Sequence, residues 1–466
     1  MLIALGPSAV LRVFRHYIPG RGLTLVAVDL GITVVAAGIP YVTGEWLGGG
    51  PVSPKIVALS GIIVASLHLA DLYRTDLHFG SRELSARLLL AIAGAAILTA
   101  AVGFVVPTLR LGRLAFFQIF GSAGAALLLW RAAWNSIDSN ERLHRRVLVL
   151  GLSRVAPAIV KLQTAGSQPF TVLGFLDDAP GAHDKLPQGA ELLGKPSDLL
   201  NIVDELHPDL VLVALPDMRK ALPADDLLEC RLRGIGVEEW PSFYEKQTGK
   251  ILVTDLRPSW LIFCDGFVNT YRTQAIKRAI DIILALVGLA LTLPVMVVVA
   301  LLIKLDSVGA ILFRQERVGQ HGKIFILNKF RSMRANAERA SGPVWASVRD
   351  PRITRVGRFL RKTRLDELPQ LFNVLLGDMS FIGPRPERPD FLRVLQRRIP
   401  FYAGRLAVKP GITGWAQIRH PYAASVEETQ EKLQYDLYYI KNLSLFLDLL
   451  ILLQTIQVVL FTRGAR

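Results

Sequence analysis

Four apolar segments follow one another early in the chain, at residues 23–42, 56–70, 88–106 and 114–134, each close to the ~20 residues that cross a hydrocarbon core. A backbone surrounded by lipid must satisfy its own polar groups, so segments of this kind are helices. The stretch 56–70 is the shortest of them. The competing account, a buried helical core in a soluble protein, is disfavoured by having four such stretches in series. Composition points the same way: hydrophobic residues make up 51% and mean hydropathy is +0.37, too much apolar surface for a soluble globule to bury. No small-residue cleavage site follows the first apolar stretch, so the N-terminus is expected to be retained.

Cationic loops stay in the cytoplasm. Arg12, Arg15 and Arg21 precede the first segment, Arg74, Arg82 and Arg87 separate the second from the third, and Arg142, Arg145 and Arg146 follow the fourth. The other two loops carry only Lys55 and the pair Arg110 and Arg113, so everything after Trp134 is predicted to be cytoplasmic. The net charge of +15 then fits anionic lipid and phosphorylated substrates, with no nucleic acid expected. Cys230 and Cys264 are the two cysteines; they lack CxxC spacing and support neither a disulfide framework nor a zinc site.

From Arg145 the pattern becomes short apolar runs alternating with helical segments, "RRVLVLGLSRVAPAIVKLQ", "VLGFLDD" and "PDLVLVALPD", as in a doubly wound parallel sheet. Gly151, Ser153 and Ala156 occupy the fingerprint positions of a dinucleotide site, but the middle glycine that lets backbone approach a pyrophosphate is replaced by Ser153. Asp177 and Asp178 after the next strand keep nucleotide binding open, with a structural or regulatory role preferred.

The stretch 279–305, "AIDIILALVGLALTLPVMVVVALLIKL", is again long enough to span. A crossing would export all that follows. Lys277 and Arg278 before it and Lys304 near its end hold both flanks to one surface, and Pro294 removes a mid-helix hydrogen bond. A helix that enters, bends and returns satisfies both features; a kinked fifth span is the alternative.

Downstream, "RKTRLDELPQLFNVLLGDMSFIGPRP" places Asp366 and Glu367 at the start of a helix whose apolar positions are Leu368, Leu371, Phe372 and Leu375, with Pro369 in its first turn. An acidic pair there is commonly a cap that suits the helix dipole. Its setting is richer: Arg349, Arg352, Arg355, Arg358, Arg361, Lys362 and Arg364 crowd the preceding stretch, and Lys329, Arg331, Arg385 and Arg388 lie on nearby motifs. A basic face on anionic lipid accounts for many of these cations. Phosphoryl transfer asks for the whole set: Mg²⁺ on one or two carboxylates and substrate phosphates, cations against developing charge, and an in-line nucleophile. A carboxylate serves as that nucleophile by forming an acyl phosphate, and Asp366 is the candidate. No Ser/His/Asp constellation is legible, and the 8 histidines show no metal-ligand spacing.

The ordered motifs "KFRSM", "RKTRLDELPQLFNVLLGDMSFIGPRP" and "PGITGWAQI" make residues 277–441 resemble the catalytic domain of bacterial polyprenyl-phosphate sugar-1-phosphate transferases, the monotopic phosphoglycosyl transferases. The layout is similar to the long subgroup that starts exopolysaccharide or O-antigen units, and residues 240–267 resemble an exosortase-associated branch. The resemblance implies a membrane protein of mixed class. Its parts are a four-helix transmembrane bundle (1–140), a Rossmann-like α/β domain (141–262), a re-entrant helix (275–305) and a mainly α catalytic domain with a C-terminal interfacial helix (306–466) in the bacterial inner membrane. It implies transfer of a sugar 1-phosphate from a UDP-sugar to undecaprenyl phosphate, with UMP released. Asp366 becomes the covalent nucleophile. Glu367 shares Mg²⁺ with it or manages a proton, and Lys329, Arg361 and Arg385 contact phosphates. Pro294 matches the family's helix-breaking proline, although Leu293 stands where many relatives have serine. The long subgroup admits a homodimer. The apolar C-terminal run, interrupted by Asp448, Gln454 and Gln457, reads as an interfacial or packing helix. Trp415, Tyr438 and Tyr439 suit either that interface or a core. A tethered NAD(P)-dependent sugar-nucleotide oxidoreductase is the competing enzyme class; the Tyr-x-x-x-Lys it needs does not occur between Gly151 and Asp255. A non-enzymatic assembly protein is the third reading.

Overall fold

A computed structural model describes residues 10–13, 15–43, 52–74, 80–138, 144–152, 155–165, 170–178, 186–215, 222–254, 258–267, 270–334, 352–420 and 425–460. Arg142, Ser153 and Arg349 lie outside the described residues. Contacts divide the chain into two compact units, Met1–Arg12 with Tyr17–Thr248, and Val13–His16 with Gly249–Arg466.

After a short ribbon, Val10–Val13 (β1) and His16–Pro19 (β2), the first unit continues with Gly20–Val42 (α1), Val52–Leu69 (α2), Ser81–Val105 (α3) and Arg113–Asp138 (α4). Three of these helices, α1, α3 and α4, are long and apolar enough to cross a membrane, whereas α2 is a shorter apolar helix. Their shared core is built from small and branched residues, among them Ala37, Ile63, Leu67, Leu88, Ala95, Ile119, Ala123 and Leu127. Small side chains let helices approach closely where lipid supplies no hydrophobic drive of its own. Outward-facing Val35, Leu90, Ile97, Phe117 and Leu129 are exposed, as lipid-facing positions require. Within the bundle, Arg131 on α4 meets Asp29 on α1 at 2.5 Å and donates to the Leu72 carbonyl at 3.1 Å.

The same unit then forms a five-stranded sheet in the order β5-β4-β3-β6-β7, every neighbouring pair parallel. Its strands are Arg145–Leu150 (β3), Phe170–Leu176 (β4), Leu192–Gly194 (β5), Leu210–Val213 (β6) and Gly236–Glu239 (β7). Ala156–Ala165 (α5), Leu199–Leu206 (α6), Ala224–Leu232 (α7) and Trp240–Thr248 (α8) follow them. The parallel sheet expected from the Val/Leu runs is present. Gly151 follows β3 at φ +104, where a Cβ would stand 2.9 Å from Leu215, so close packing alone demands glycine. Asp177 is buried and accepts the Leu152 N–H, which makes it a fastener of the β3 turn.

In the second unit, Pro258–Phe263 (α9) precedes Tyr271–Asp306 (α10), a helix of 36 residues that contains Pro294. It is helical on both sides of the proline and is the fourth helix long and apolar enough to span. One face packs along its length, with Ala285 in a cluster with Leu327, Val374 and Met379, and Met296, Val299 and Ile303 in another with Phe330 and Leu360. The opposite face leaves Ile283, Leu291, Val297, Leu301 and Leu305 exposed.

The antiparallel hairpin Leu312–Val318 (β8) and Ile324–Phe330 (β9) is followed by Arg355–Thr363 (α11), the 3-10 turn Leu365–Glu367 and Gln370–Leu376 (α12). Ser380–Ile382 (β10) pairs in parallel with Gly411–Thr413 (β11) across Pro389–Arg398 (α13). Trp415–Arg419 (α14), Val426–Lys441 (α15) and Leu445–Leu460 (α16) complete the unit. Helices predominate, and the two small sheets are the departure from a mainly α expectation. Trp415, Tyr438 and Tyr439 are core residues, all buried. Asp448 on α16 is buried too, paired with Lys277 at 2.7 Å and accepting from the Tyr439 hydroxyl at 2.8 Å, which explains a carboxylate inside an apolar helix.

Candidate active site

Arg364 ends α11 in the left-handed region at φ 58, and the backbone reversal there starts the 3-10 turn that carries Asp366 and Glu367. The pair therefore precedes α12 by a separate turn, with Pro369 at the N-cap of α12. A 3-10 turn rotates residues by a different angle from an α-helix, and the phase of the apolar face shifts with it. The buried residues of α12 are Gln370, Leu371, Asn373 and Val374, while Phe372, expected inside, is exposed.

Three elements converge on the carboxylates. Lys329 of β9 reaches Glu367 Oε1 at 3.4 Å, and Arg385, in the loop after β10, reaches the same oxygen at 2.9 Å. Among the described residues, no side chain forms an ion pair or hydrogen bond with the Asp366 carboxylate, and the residue as a whole is 9% exposed. Arg361, on the last turn of α11, acts on Asp366 through its charge. Pro294 lies inside α10 and is not part of this cluster.

The two acids are electrostatically unlike. Burial pushes the Asp366 carboxyl up to about 6 and the Glu367 charge adds to it, against Lys329, Arg385 and Arg361. Burial opposes ionisation of Glu367 as well, yet Arg385 and Lys329 override it and hold that carboxyl well below the usual range. Burial lowers Lys329, partly offset by Glu367; Glu367 raises Arg385. Neighbouring carboxylates whose environments drive them apart divide their roles: Glu367 is a fixed anion locked to two cations, and Asp366 is a carboxylate with no ion-pair partner among the described residues.

Residues that sequence reasoning did not single out hold these groups in place. The Asn373 carboxamide accepts from the Asn328 backbone N–H at 3.1 Å and donates to the Ile326 carbonyl at 2.7 Å, tying α12 to the strand that bears Lys329. Arg278 donates to the Val374 and Leu375 carbonyls at 2.5 and 2.8 Å, closing the C-terminal end of α12 from α10. The signal for Asn373 was a polar residue inside the apolar run "QLFNVLL".

No three-residue group of His, Cys, Asp and Glu able to hold a metal occurs among the described residues. The donor chemistry would suit a magnesium ion, because Asp366 and the second oxygen of Glu367 offer hard carboxylate oxygens. They do not form an all-protein cage.

Comparison with known proteins gives the chain a family. Residues 272–462 match the family described as bacterial sugar transferase, and residues 68–222 match a CoA-binding domain family. The UDP-glucose:undecaprenyl-phosphate glucose-1-phosphate transferase of Xanthomonas campestris is 30% identical over 469 residues, covering 95% of this chain and 94% of that protein. The chain belongs to the bacterial sugar transferases. Among these transferases, the UDP-N-acetylgalactosamine-undecaprenyl-phosphate N-acetylgalactosaminephosphotransferase of Aeromonas hydrophila is 45% identical over 240 residues, 52% of this chain and 56% of its own length. The glucose-1-phosphate transferase of Escherichia coli is 44% identical over 185 residues, 39% of this chain and 40% of its own length. The bacterial sugar transferase match contains Asp366, Glu367, Lys329, Arg361 and Arg385 together.

Proposed function

We propose that this chain transfers a sugar 1-phosphate from a UDP-sugar to undecaprenyl phosphate and so starts a polysaccharide repeat unit at the inner face of the cytoplasmic membrane. The observation that carries the reading is the asymmetric acidic pair, a clamped Glu367 beside an Asp366 whose carboxylate is left to react. An Asp366 oxygen attacks the sugar-bearing phosphorus. The bond from that phosphorus to the UMP oxygen breaks, UMP leaves, and an aspartyl phosphosugar remains. An oxygen of undecaprenyl phosphate then attacks the same phosphorus, forming the diphosphate and releasing the Asp366 carboxylate.

Lys329, Arg361 and Arg385 bind phosphate oxygens and spread the charge that develops on them. Glu367 holds Lys329 and Arg385 at the depth of the nucleophile. Bound magnesium would supply Lewis-acid polarisation of the phosphoryl oxygens. With both ends of α10 held to the domain that bears the site, α10 reads as a re-entrant helix that sets the site at headgroup depth, where the phosphate of a lipid acceptor lies. Of the two acids that keep a nucleotide site open, Asp177 is buried against its own turn and Asp178 is exposed, and the Tyr-x-x-x-Lys that the oxidoreductase alternative needs does not occur between Gly151 and Asp255.

A panel of UDP-sugars offered with undecaprenyl phosphate and Mg²⁺, scored by UMP release, identifies reaction and donor together. Asp366→Asn is expected to insert normally and release no UMP. Single-turnover reaction without acceptor is expected to add the mass of the phosphosugar to the peptide containing Asp366. An unmodified peptide from enzyme that does cycle rules out the covalent route.

A further inference from the structure

Behind Arg385 lies a second buried charge cluster that the reaction as written does not use. Arg405 sits in the 3-10 turn Tyr402–Ala407 and is only 6% exposed. One of its nitrogens, Nη2, donates to the Arg385 carbonyl at 2.9 Å and to Asp436 of α15 at 2.9 Å. The other, Nη1, donates to the Tyr402 hydroxyl at 2.6 Å and to Glu387 at 3.3 Å. Lys432 of α15 adds its charge to the same cluster. Around it the loop is pinned from both sides: Arg317 donates to the Pro386 carbonyl at 3.0 Å, Val318 to the Glu387 carbonyl at 2.9 Å, and the Gly411 N–H to the Pro384 carbonyl at 3.0 Å.

A guanidinium buried with four acceptors is costly to desolvate and gains specificity chiefly through its fixed geometry. Here the geometry has one outlet toward the site. The carbonyl of Arg385 is fixed by Arg405, and the side chain of the same residue meets Glu367 at 2.9 Å. We propose that Arg405 is a positioning residue for phosphoryl transfer, anchoring the Arg385 backbone to Asp436 so that the Arg385 guanidinium is delivered to the acidic pair. The proposal rests on the transferase reading above. It assigns to α15, far along the chain from Asp366, a part in setting the charge balance at the nucleophile. Glu367, Lys329, Arg385 and Arg361 act on Asp366, and of these, among the described residues, Arg385 is the one bonded to Arg405.

A lysine at 405 keeps the charge but cannot serve the Arg385 carbonyl, Asp436 and Tyr402 together. Arg405→Lys, Arg385→Gln and the double variant of the full-length protein, in the same membranes, form a cycle read by UMP release with the most active UDP-sugar. If Arg405 acts through Arg385, each single change lowers kcat/KM, and the loss divides between kcat and KM in the same way in both. The double variant then falls within about threefold of Arg385→Gln alone. Losses that multiply, or a kcat-against-KM split in Arg405→Lys unlike that of Arg385→Gln, overturn the proposal and show a purely structural role. Should Arg405→Lys fail to accumulate in membranes, Asp436→Asn carries the same cycle. Failure of the transferase reading is separate, because it appears as absent UMP release from the parent protein or undiminished release from Asp366→Asn.

Discussion

At the scale of single residues, the acidic pair states its roles through two opposite pKa shifts. Asp366 is raised to about 6 by burial and by Glu367, so the folded protein favours its protonated form and carries a cost for ionising it. That cost is fully present above pH ~6 and absent below the unfolded carboxyl range near pH ~4. Asp366→Asn should therefore be the more stable protein at pH 8, by on the order of 1–3 kcal/mol, while inactive. Thermal melts in nanodiscs across pH check this: the advantage should shrink as pH falls from 8 toward 4, and a parent more stable than the variant at pH 8 contradicts it. For activity the sign is the same. A nucleophilic Asp366 must be ionised, so kcat/KM should fall on the acid side of about pH 6. Lys329 lowers the Asp366 carboxyl by its charge; Lys329→Met should move that acid limb upward by roughly one pH unit, besides slowing turnover. A limb that moves downward or stays put would remove Lys329 from the electrostatics of the nucleophile.

At the scale of elements, local sequence shows what is periodic or chemically unusual and hides what depends on long-range contact. The Val/Leu runs announced β3 and β6 because continuous apolar strands suit a sheet covered on both faces, and hydropathy located α1, α3 and α4, though α3 and α4 extend beyond the apolar runs. The acidic pair was legible because carboxylates stand out beside a run of arginines. The 3-10 turn that separates them from α12 was hidden, since it depends on the left-handed Arg364, and the error propagated to the facing of Phe372. Also hidden were the partners from distant parts of the chain: Asn328 with Asn373, Arg278 with the end of α12, Asp436 with Arg405. None of these pairs has a spacing signature. Asn373 offers the sharpest element-scale test. Its carboxamide makes several bonds in a nearly fully buried site, so Asn373→Ala leaves the Asn328 N–H and the Ile326 carbonyl without their partner. It should cost about 1–3 kcal/mol and lower UMP release beyond any loss of folded protein, because the strand carrying Lys329 loses its tie to α12. Normal turnover per folded molecule would show that the β9–α12 tie does not position Lys329.

At the scale of the whole molecule, the question is which side of the bilayer each end of α10 faces. A straight helix of 36 residues is about 54 Å long, well beyond a ~30 Å hydrocarbon core. Both of its ends are nonetheless bonded to the same unit. Near the start, Lys277 pairs with Asp448 and Arg278 caps α12. At the finish, Asp306 accepts the Val356 N–H at 3.2 Å, and Arg331 donates to the carbonyls of Ser307 and Val308 at 2.7 and 3.0 Å. A helix that crossed the bilayer would need the domain on both sides of the membrane, whereas a helix packed along that domain, its outer apolar face in one leaflet, keeps every one of these bonds. Pro294 lies inside this continuous helix and leaves one backbone carbonyl without its N–H partner. Cysteines placed at the exposed positions Arg272 and Val308, in a background with Cys230 and Cys264 replaced by alanine, separate the two topologies. A membrane-impermeant maleimide should label both positions in inverted inner-membrane vesicles and neither in intact spheroplasts. Labelling of one position from each side would make α10 a true span and place the acidic pair across the membrane from UDP-sugar.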